Sequence, residues 1–564
     1  MIALRYHDRT KHHFNRFARS LGYLDWAAQP DPFRRYEGSP LVELPRGALA
    51  EGLRYGALFD TSTAPTPVDQ RSIGEFLRCS MGLSAWKQYG QSRWALRVNP
   101  SSGNLHPTEA YVVHDARTFH YAPREHMLEE RCVFDREAWH RVIGTPDRAF
   151  LVALTSIHWR EAWKYGERAF RYCQHDVGHA LGALRLAGGL LGWRVTLSPE
   201  WSDRDLSRLL GIDRDEDFAD AEREEPECLA IVSAHDDPST WLGQDPSGLV
   251  SAAEGGTWHG SANRLSANHV EWPIIDEVAA ATRYPGQERN ESATVRGCES
   301  ATVPGATVRG AMVPRAMVQA VTPPPGRSVA PSHDRTVAPR MARQVLLSRR
   351  SAVAFDGRSA LPRDLFLSML RRLRPPSPPW DAINWPPQVH LVLFVHRVEG
   401  LQPGVYAYLR DDDVLDQWRS AMRQEFIWER VPNGPNDLFL LVPVDCGPTA
   451  MRLSCDQEIA ADGFFSLAMV ARVEASLRDR GEWFYRRLFW ECGLIGQVLY
   501  LEAEAAGGRA TGIGCFYDDP VHAFLGLTGH EWQSLYHFSM GAPVDDSRLT
   551  TESGYAWETP DRAR

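Results

Sequence analysis

Residues 97–111 concentrate the groups best suited to gripping a ligand. The core of this run is Pro100-Ser101-Ser102-Gly103-Asn104-Leu105-His106-Pro107, set just before the strand-like Tyr111-Val112-Val113. A loop of this kind presents backbone N–H groups, two hydroxyls and an amide at close approach, which suits the edge of a flat, hydrogen-bonding heterocycle. An ordinary Asn/Gly turn has the same composition. Far downstream, Val345-Leu346-Leu347-Ser348 runs into Arg349-Arg350-Ser351. Two guanidinium groups and a hydroxyl at the end of an apolar helical run suit a phosphate, and a solvated helix end is the plain alternative. Thr511-Gly512-Ile513-Gly514 does not fit a dinucleotide fingerprint, yet it would let a flat ring approach the backbone. Arg548, in Pro543-Val544-Asp545-Asp546-Ser547-Arg548-Leu549, adds a cation near the C-terminus. Cys455 and Cys515 are potential reactive thiols, although small buried hydrophobes is the simpler reading. His7, His12 and His13 have no paired ligands at suitable spacing, so no metal site is expected.

The elements that must position these groups come in two similar sets. In the first, His175-Asp176-Val177-Gly178-His179 opens a stretch with helical apolar spacing that leads through Trp193 into Arg194-Val195-Thr196-Leu197. In the second, Trp490-Glu491-Cys492-Gly493-Leu494 opens a stretch with the same spacing that leads into Gly507-Gly508-Arg509-Ala510-Thr511. Arg168-Ala169-Phe170-Arg171 begins ten residues before Gly178, and Trp483-Phe484-Tyr485-Arg486 begins ten before Gly493. The matching order predicts two copies of one α+β unit, each a small mixed sheet surrounded by helices with a long central helix. Between them the unit Ala-Thr/Met-Val recurs at Ala301, Ala306, Ala311 and Ala316, followed by Pro323-Pro324-Pro325-Gly326. Such a segment buries too little apolar surface to offset chain entropy and is expected to be a disordered linker. The expected organisation is an N-terminal arm over 1–54, a first domain over 55–282, the linker over 283–340 and a second domain over 341–564.

Composition narrows the function. The 564 residues carry 43% apolar and 24% charged side chains, a net charge of −10 and 19 Trp. This is a soluble globular profile with room for large apolar pockets, and it excludes a nucleic-acid groove or an anionic membrane surface as the main partner. The N-terminus has no apolar signal core, and the nine Cys form no Cys-x-x-Cys. A reduced, cytoplasmic protein is the expectation.

Taken jointly and in order, the Arg-Arg-Ser helix end, the Pro-Ser-Ser-Gly-Asn-x-His-Pro loop, the Gly-Ile-Gly turn and the late Asp-Asp-x-Arg-Leu resemble the FMN-dependent nitroreductase superfamily. Within it, Lys164-Tyr165-Gly166-Glu167-Arg168-Ala169-Phe170-Arg171 resembles the SagB/ThcOx-type dehydrogenases, which oxidise azolines in ribosomal peptides. The resemblance covers roughly residues 55–235 and 340–550. It implies FMN at an interface between two like subunits, here fused into a pseudo-dimeric monomer. Pro100, Ser101, Ser102, Gly103, Asn104 and His106 would come from one half. Arg349, Arg350, Ser351, Gly512, Ile513, Gly514 and Arg548 would come from the other. Only one composite site is complete, because the second half has Arg374-Pro375-Pro376-Ser377-Pro378-Pro379 where its own Ser-rich loop should be. Two departures stand out: Val353 replaces a basic residue, and Asp479-Arg480 stand at the positions matching Lys164-Tyr165. The resemblance makes Lys164 and Tyr165 the acid/base pair for hydride transfer to flavin N5. The substrate would be a small heterocyclic or peptide-derived molecule, with a peptide-modifying enzyme as a possible partner. A generic NAD(P)H-dependent nitro- or quinone reductase, and a flavin-free peptide-binding module, are the competing expectations.

Overall fold

The computed structural model describes residues 1–61, 63–234, 241–286 and 340–558. Residues 1–287 and 339–564 form one compact unit. The repeat segment at 301–320, expected to be a disordered linker, lies outside the described residues.

The first half opens with α1 (Ile2–Arg9), α2 (Gln70–Ser80) and a hairpin of β1 (Leu83–Tyr89) and β2 (Ser92–Arg97). Then come β3 (Thr108–His114), β4 (Arg117–Ala122), β5 (Met127–Val133), β6 (Ala149–Ser156), α3 (His158–Tyr165), α4 (Ala169–Leu190), β7 (Arg194–Leu197), α5 (Asp203–Leu210) and β8 (Glu225–Ser233). The second half supplies α6 (Ala342–Ser348), β9 (Val389–Val395), β10 (Gly404–Tyr408), β11 (Leu438–Val442) and β12 (Phe465–Arg472). It ends with α7 (Phe484–Ala505), β13 (Arg509–Ile513), α8 (Asp518–Leu525), β14 (Trp532–Gly541) and β15 (Thr550–Ser553).

The two main sheets share one strand order, β5-β4-β3-β6-β8-β7 in the first half and β11-β10-β9-β12-β14-β13 in the second. The α+β class and the paired architecture are therefore as the sequence predicts. The sheets themselves differ from the small mixed sheet expected. They have eight and seven strands, and every ladder within them is antiparallel. For β3, β4 and β5 the reason is the connectivity: tight turns such as Asp115-Ala116, both at positive φ, join them as hairpins, which can only pair antiparallel.

Helices α4 and α7 each run 22 residues and cross at the centre of the molecule. Glycines set this crossing. A Cβ on Gly178 would sit 2.2 Å from the carbonyl oxygen of Trp490, and one on Gly493 would sit 2.2 Å from that of His175. Both helices are buried along nearly their whole length. Around the crossing each half reaches into the other. Arg171 of α4 pairs with Asp518 at the start of α8 (2.8 Å), and Arg486 of α7 pairs with Asp203 at the start of α5 (2.6 Å). These are the same contact made twice in mirrored roles.

The termini cross over as well. His7 on α1 bridges the Tyr485 hydroxyl and Gln533 Oε1, each at 3.0 Å, and β15 adds an antiparallel strand to β1. No helix among the described residues is long and apolar enough to cross a membrane.

A methyl group at the crossing would press on a main-chain carbonyl that cannot swing aside. Gly178→Ala and Gly493→Ala should each cost about 1–3 kcal/mol or more in urea unfolding. Gly248→Ala on an open surface should stay within about 0.5 kcal/mol of the parent.

Candidate functional site

The two halves enclose a cavity of about 400 Å³. Its first wall is the loop between β2 and β3. Gly103, Asn104 and His106 all have positive φ (59°, 61° and 53°), so the loop holds two non-glycine residues in the sparsely populated left-handed region. Internal hydrogen bonds maintain this. Asn104 Nδ2 donates to the Ala95 carbonyl (2.9 Å), its Oδ1 meets His106 Nε2 (3.0 Å), and the His106 N–H donates to Ser101 Oγ (2.8 Å). Gly103 is required twice over, because a Cβ there would lie 2.6 Å from the Tyr165 hydroxyl and 3.1 Å from Lys164 Nζ.

The opposite wall belongs to the second half. Helix α6 ends at Ser348, and Arg349 is its C-cap. Arg349 Nε and Nη2 donate to the carbonyls of Val98 and Arg97 (3.0 and 3.1 Å), while its Nη1 is buried with no partner. Arg350 donates to the carbonyls of Leu347, Arg349 and Ser84 at 2.6–2.8 Å. Neither guanidinium makes an ion pair among the described residues. Burial, and then its neighbour Arg349, push Arg350 down to about 9. Two adjacent cations, Arg349 buried and Arg350 half-buried, with no ion-paired carboxylate are costly, and the arrangement favours an anion between them. Ser351 Oγ donates to the Tyr500 hydroxyl (3.1 Å), which accepts the Gly512 N–H (2.9 Å). Gly512 and Ile513 are the last residues of β13 and Gly514 follows it, in place of the turn expected, and aromatic rings border them: a Cβ on Gly512 would fall 1.8 Å from the Tyr536 hydroxyl, and one on Gly514 would fall 2.1 Å from the Tyr172 ring.

Pro100, Ser101, Ser102, Gly103, Asn104, His106, Tyr165, Arg349, Arg350, Ser351, Gly512, Ile513 and Gly514 all line this one cavity. Lys164 borders it through Gly103. Lys164 and Tyr165 end α3, immediately before Gly166 at φ 54°. Arg548 is not brought to the wall: it is exposed and pairs with Asp546 (2.7 and 2.8 Å). Val353 lines the cavity although it is 72% exposed.

The structure adds residues the motif reading missed. Asp176 of α4 accepts hydrogen bonds from the Ser102 N–H (3.1 Å) and hydroxyl (3.2 Å). Burial raises its carboxyl to about 7. Burial, and then Asp176, also push the nearby Glu161 well above the usual carboxylate range. Lys87 of β1 reaches the cavity from the first half, its ammonium pulled down by burial, then by Arg509 and Arg350.

The symmetry-related position is filled by protein. Asp381 takes two hydrogen bonds from Arg185 (2.8 and 2.6 Å), Trp385 Nε1 donates to Glu491 (3.2 Å), and Glu491 is ion-paired with Arg410.

No curated protein matches the chain. A crystal structure of a putative nitroreductase from Anabaena variabilis superposes with a TM-score of 0.64 at 18% identity, covering 96% of this chain and 99% of that one. This likeness establishes the fold. A putative nitroreductase from Ralstonia eutropha matches 37% of this chain and 95% of its own, at 14% identity and a TM-score of 0.27. The E. coli microcin synthetase McbBCD complex with truncated pro-MccB17 matches 42% and 92%, at 16% identity and a TM-score of 0.25.

The raised Asp176 carboxyl has a consequence for stability. The folded protein holds this proton more tightly than the unfolded chain, so the group favours folding below about pH 4. That contribution is lost as pH rises toward 7. Asp176→Asn should therefore reduce the decline in unfolding midpoint between pH 4 and 7, measured by urea titration beside the parent. An unchanged slope would mean the carboxyl titrates normally.

The model of the nitroreductase family matches residues 64–221 and again residues 346–542, and the chain belongs to that family.

Proposed function

We propose that the chain is an FMN-dependent oxidoreductase of the SagB-like kind, with one composite FMN site. It would transfer hydride between a small heterocyclic or peptide-derived substrate and the flavin. The observation that carries this reading is the pair Arg349, buried, and Arg350, half-buried, neither of them ion-paired among the described residues, lining one cavity with the Pro100–His106 loop. The residues fit the cofactor. The unpartnered Arg349 Nη1 awaits an acceptor, and the glycines at 512 and 514 leave flat, ring-bordered backbone.

Arg349, Arg350 and Ser351 would hold the phosphate, with Lys87 supplying the cation that Val353 does not. Asn104, the Ser101-Ser102 hydroxyls and backbone of the loop would orient the ring edge. FMN, when bound, supplies a hydride acceptor or donor at N5. Tyr165 has its phenol raised well above its ordinary value by burial, so it stays protonated and donates a hydrogen bond or proton at the cavity. Asp176, near neutrality, can exchange a proton while it fixes Ser102. Lys164 Nζ and the Tyr165 hydroxyl both border Gly103, and Lys164 would act with Tyr165 as the acid/base unit.

Flavin released from purified protein should approach one FMN per chain. Arg349→Ala should weaken FMN binding by about 10- to 100-fold, the scale of one hydrogen bond to a charged group. Circular dichroism should show the fold retained. Asn104→Ala should weaken binding in the same direction. Two flavins per chain would overturn the single-site reading. No flavin after reconstitution would favour a peptide-binding module. Oxygen-dependent substrate oxidation without nicotinamide is the expected activity, and turnover of nitroaromatics with NAD(P)H would favour a generic reductase instead.

A further inference from the structure

Three side chains at the edge of the cavity have no part in the function proposed above. Cys455 lies in the turn after the short helix Gly447–Leu453, Cys515 follows Gly514 just beyond the end of β13, and His12 comes from the N-terminal arm. The two sulfur atoms are 3.0 Å apart, and His12 Nδ1 is 3.7 Å from Cys515 Sγ. The other described cysteines are buried, whereas these two are only partly so, and Cys515 lines the cavity wall. The surroundings also differ in charge. The hydrogen bond the two sulfurs share, reinforced by His12 and Arg168, draws Cys515 toward its thiolate and holds Cys455 protonated. His12 is fixed in place because its backbone N–H donates to Asp518 (2.8 Å), the carboxylate that also binds Arg168 and Arg171.

We propose that Cys455 and Cys515 are a redox-active dithiol that closes to a disulfide at the cavity wall, with a small-molecule disulfide as co-reactant. The Cys515 thiolate attacks one sulfur of the co-reactant, the S–S bond breaks, one thiolate leaves, and a mixed disulfide remains on Cys515. Cys455, already in contact, loses its proton to the departed thiolate and attacks Cys515 Sγ, expelling the second thiolate. The protein gives up two electrons and one proton, and the co-reactant becomes one thiol and one thiolate. Closure ties the end of β13 to the Cys455-Asp456 turn, whose two residues both have positive φ.

The test uses the full chain carrying Cys298→Ser, since Cys298 is outside the described residues. The protein is equilibrated in buffers of reduced and oxidised glutathione, alkylated, and mapped by mass spectrometry, with and without FMN. Oxidation should remove two alkylatable thiols per chain and yield a peptide cross-linked between 455 and 515. Adding Cys455→Ser should instead leave one glutathione on residue 515, and Cys515→Ser should abolish both products. Separate thiols, or glutathione on both cysteines, in fully oxidising buffer would overturn the proposal. So would one tightly held zinc per chain that protects both cysteines, which would make the cluster a metal site. These readouts do not use flavin, so a failure here is distinct from a failure of the FMN reading.

Discussion

The backbone contact between α4 and α7 is the constraint on which the rest of the structure hangs. At Gly178 and Gly493 each helix lays main chain against main chain, closer than any side chain would permit. The next turn repeats the device, with Gly182 against Gln497 and Gly496 against His179. Because the helices approach so closely, the polar residues beside the glycines have no slack. Asp176 is delivered to the Ser102 end of the loop, while Tyr500 on the partner helix is delivered to Ser351 and Gly512. One crossing thus fixes both walls of the cavity relative to each other, to within the tolerance of packed backbone.

Charge then distinguishes the two ends of the pseudo-dimer. Buried cations need an anion, and the molecule meets that need in two ways. At the filled end, Arg185 has Asp381 and Arg410 has Glu491. The mirrored Arg171–Asp518 and Arg486–Asp203 pairs are likewise closed within the protein. At the open end, Arg349 and Arg350 hydrogen-bond only to carbonyls. Buried Arg97 and Arg487 likewise make no ion pair among the described residues, so what sets Arg349 and Arg350 apart is that they stand side by side on the cavity wall.

Much of this was legible in the sequence, for identifiable reasons. The long helices could be read because apolar spacing and the Gly178/Gly493 register survive in both copies. The loop could be read because Pro, Ser, Gly and Asn are the residues that tolerate its backbone, and the structure indeed places Gly103, Asn104 and His106 at positive φ. Arg349 to Ser351 and Gly512 to Gly514 were legible as local clusters. What escaped were residues whose meaning is set by distant neighbours. Asp176 looks like any helix residue until Ser102 is folded onto it. Arg548 looks like a phosphate ligand until Asp546 is seen to hold it at the surface. His12, Cys455 and Cys515 are far apart in the chain, and no spacing rule unites them. The sheets were misjudged in size because short edge strands such as Leu41–Glu43 and Thr257–Trp258 carry too few residues to form a period.

Fusion of the two halves gives this asymmetry a physical basis. In a dimer of identical chains, any residue that fills one interfacial site fills both. Here Asp176 and Glu491 occupy matching places on the two central helices, as do Arg185 and Tyr500, yet each does different work. Asp176 shapes an open loop, and Glu491 accepts the N–H groups of Gln388 and Val389 and closes its side. Tyr500 lines the cavity, and Arg185 locks Asp381. Once joined, the halves can spend one site on packing and keep the other for chemistry. The closed site then contributes the buried ion pairs and ring contacts that hold the crossing helices rigid beneath the open one.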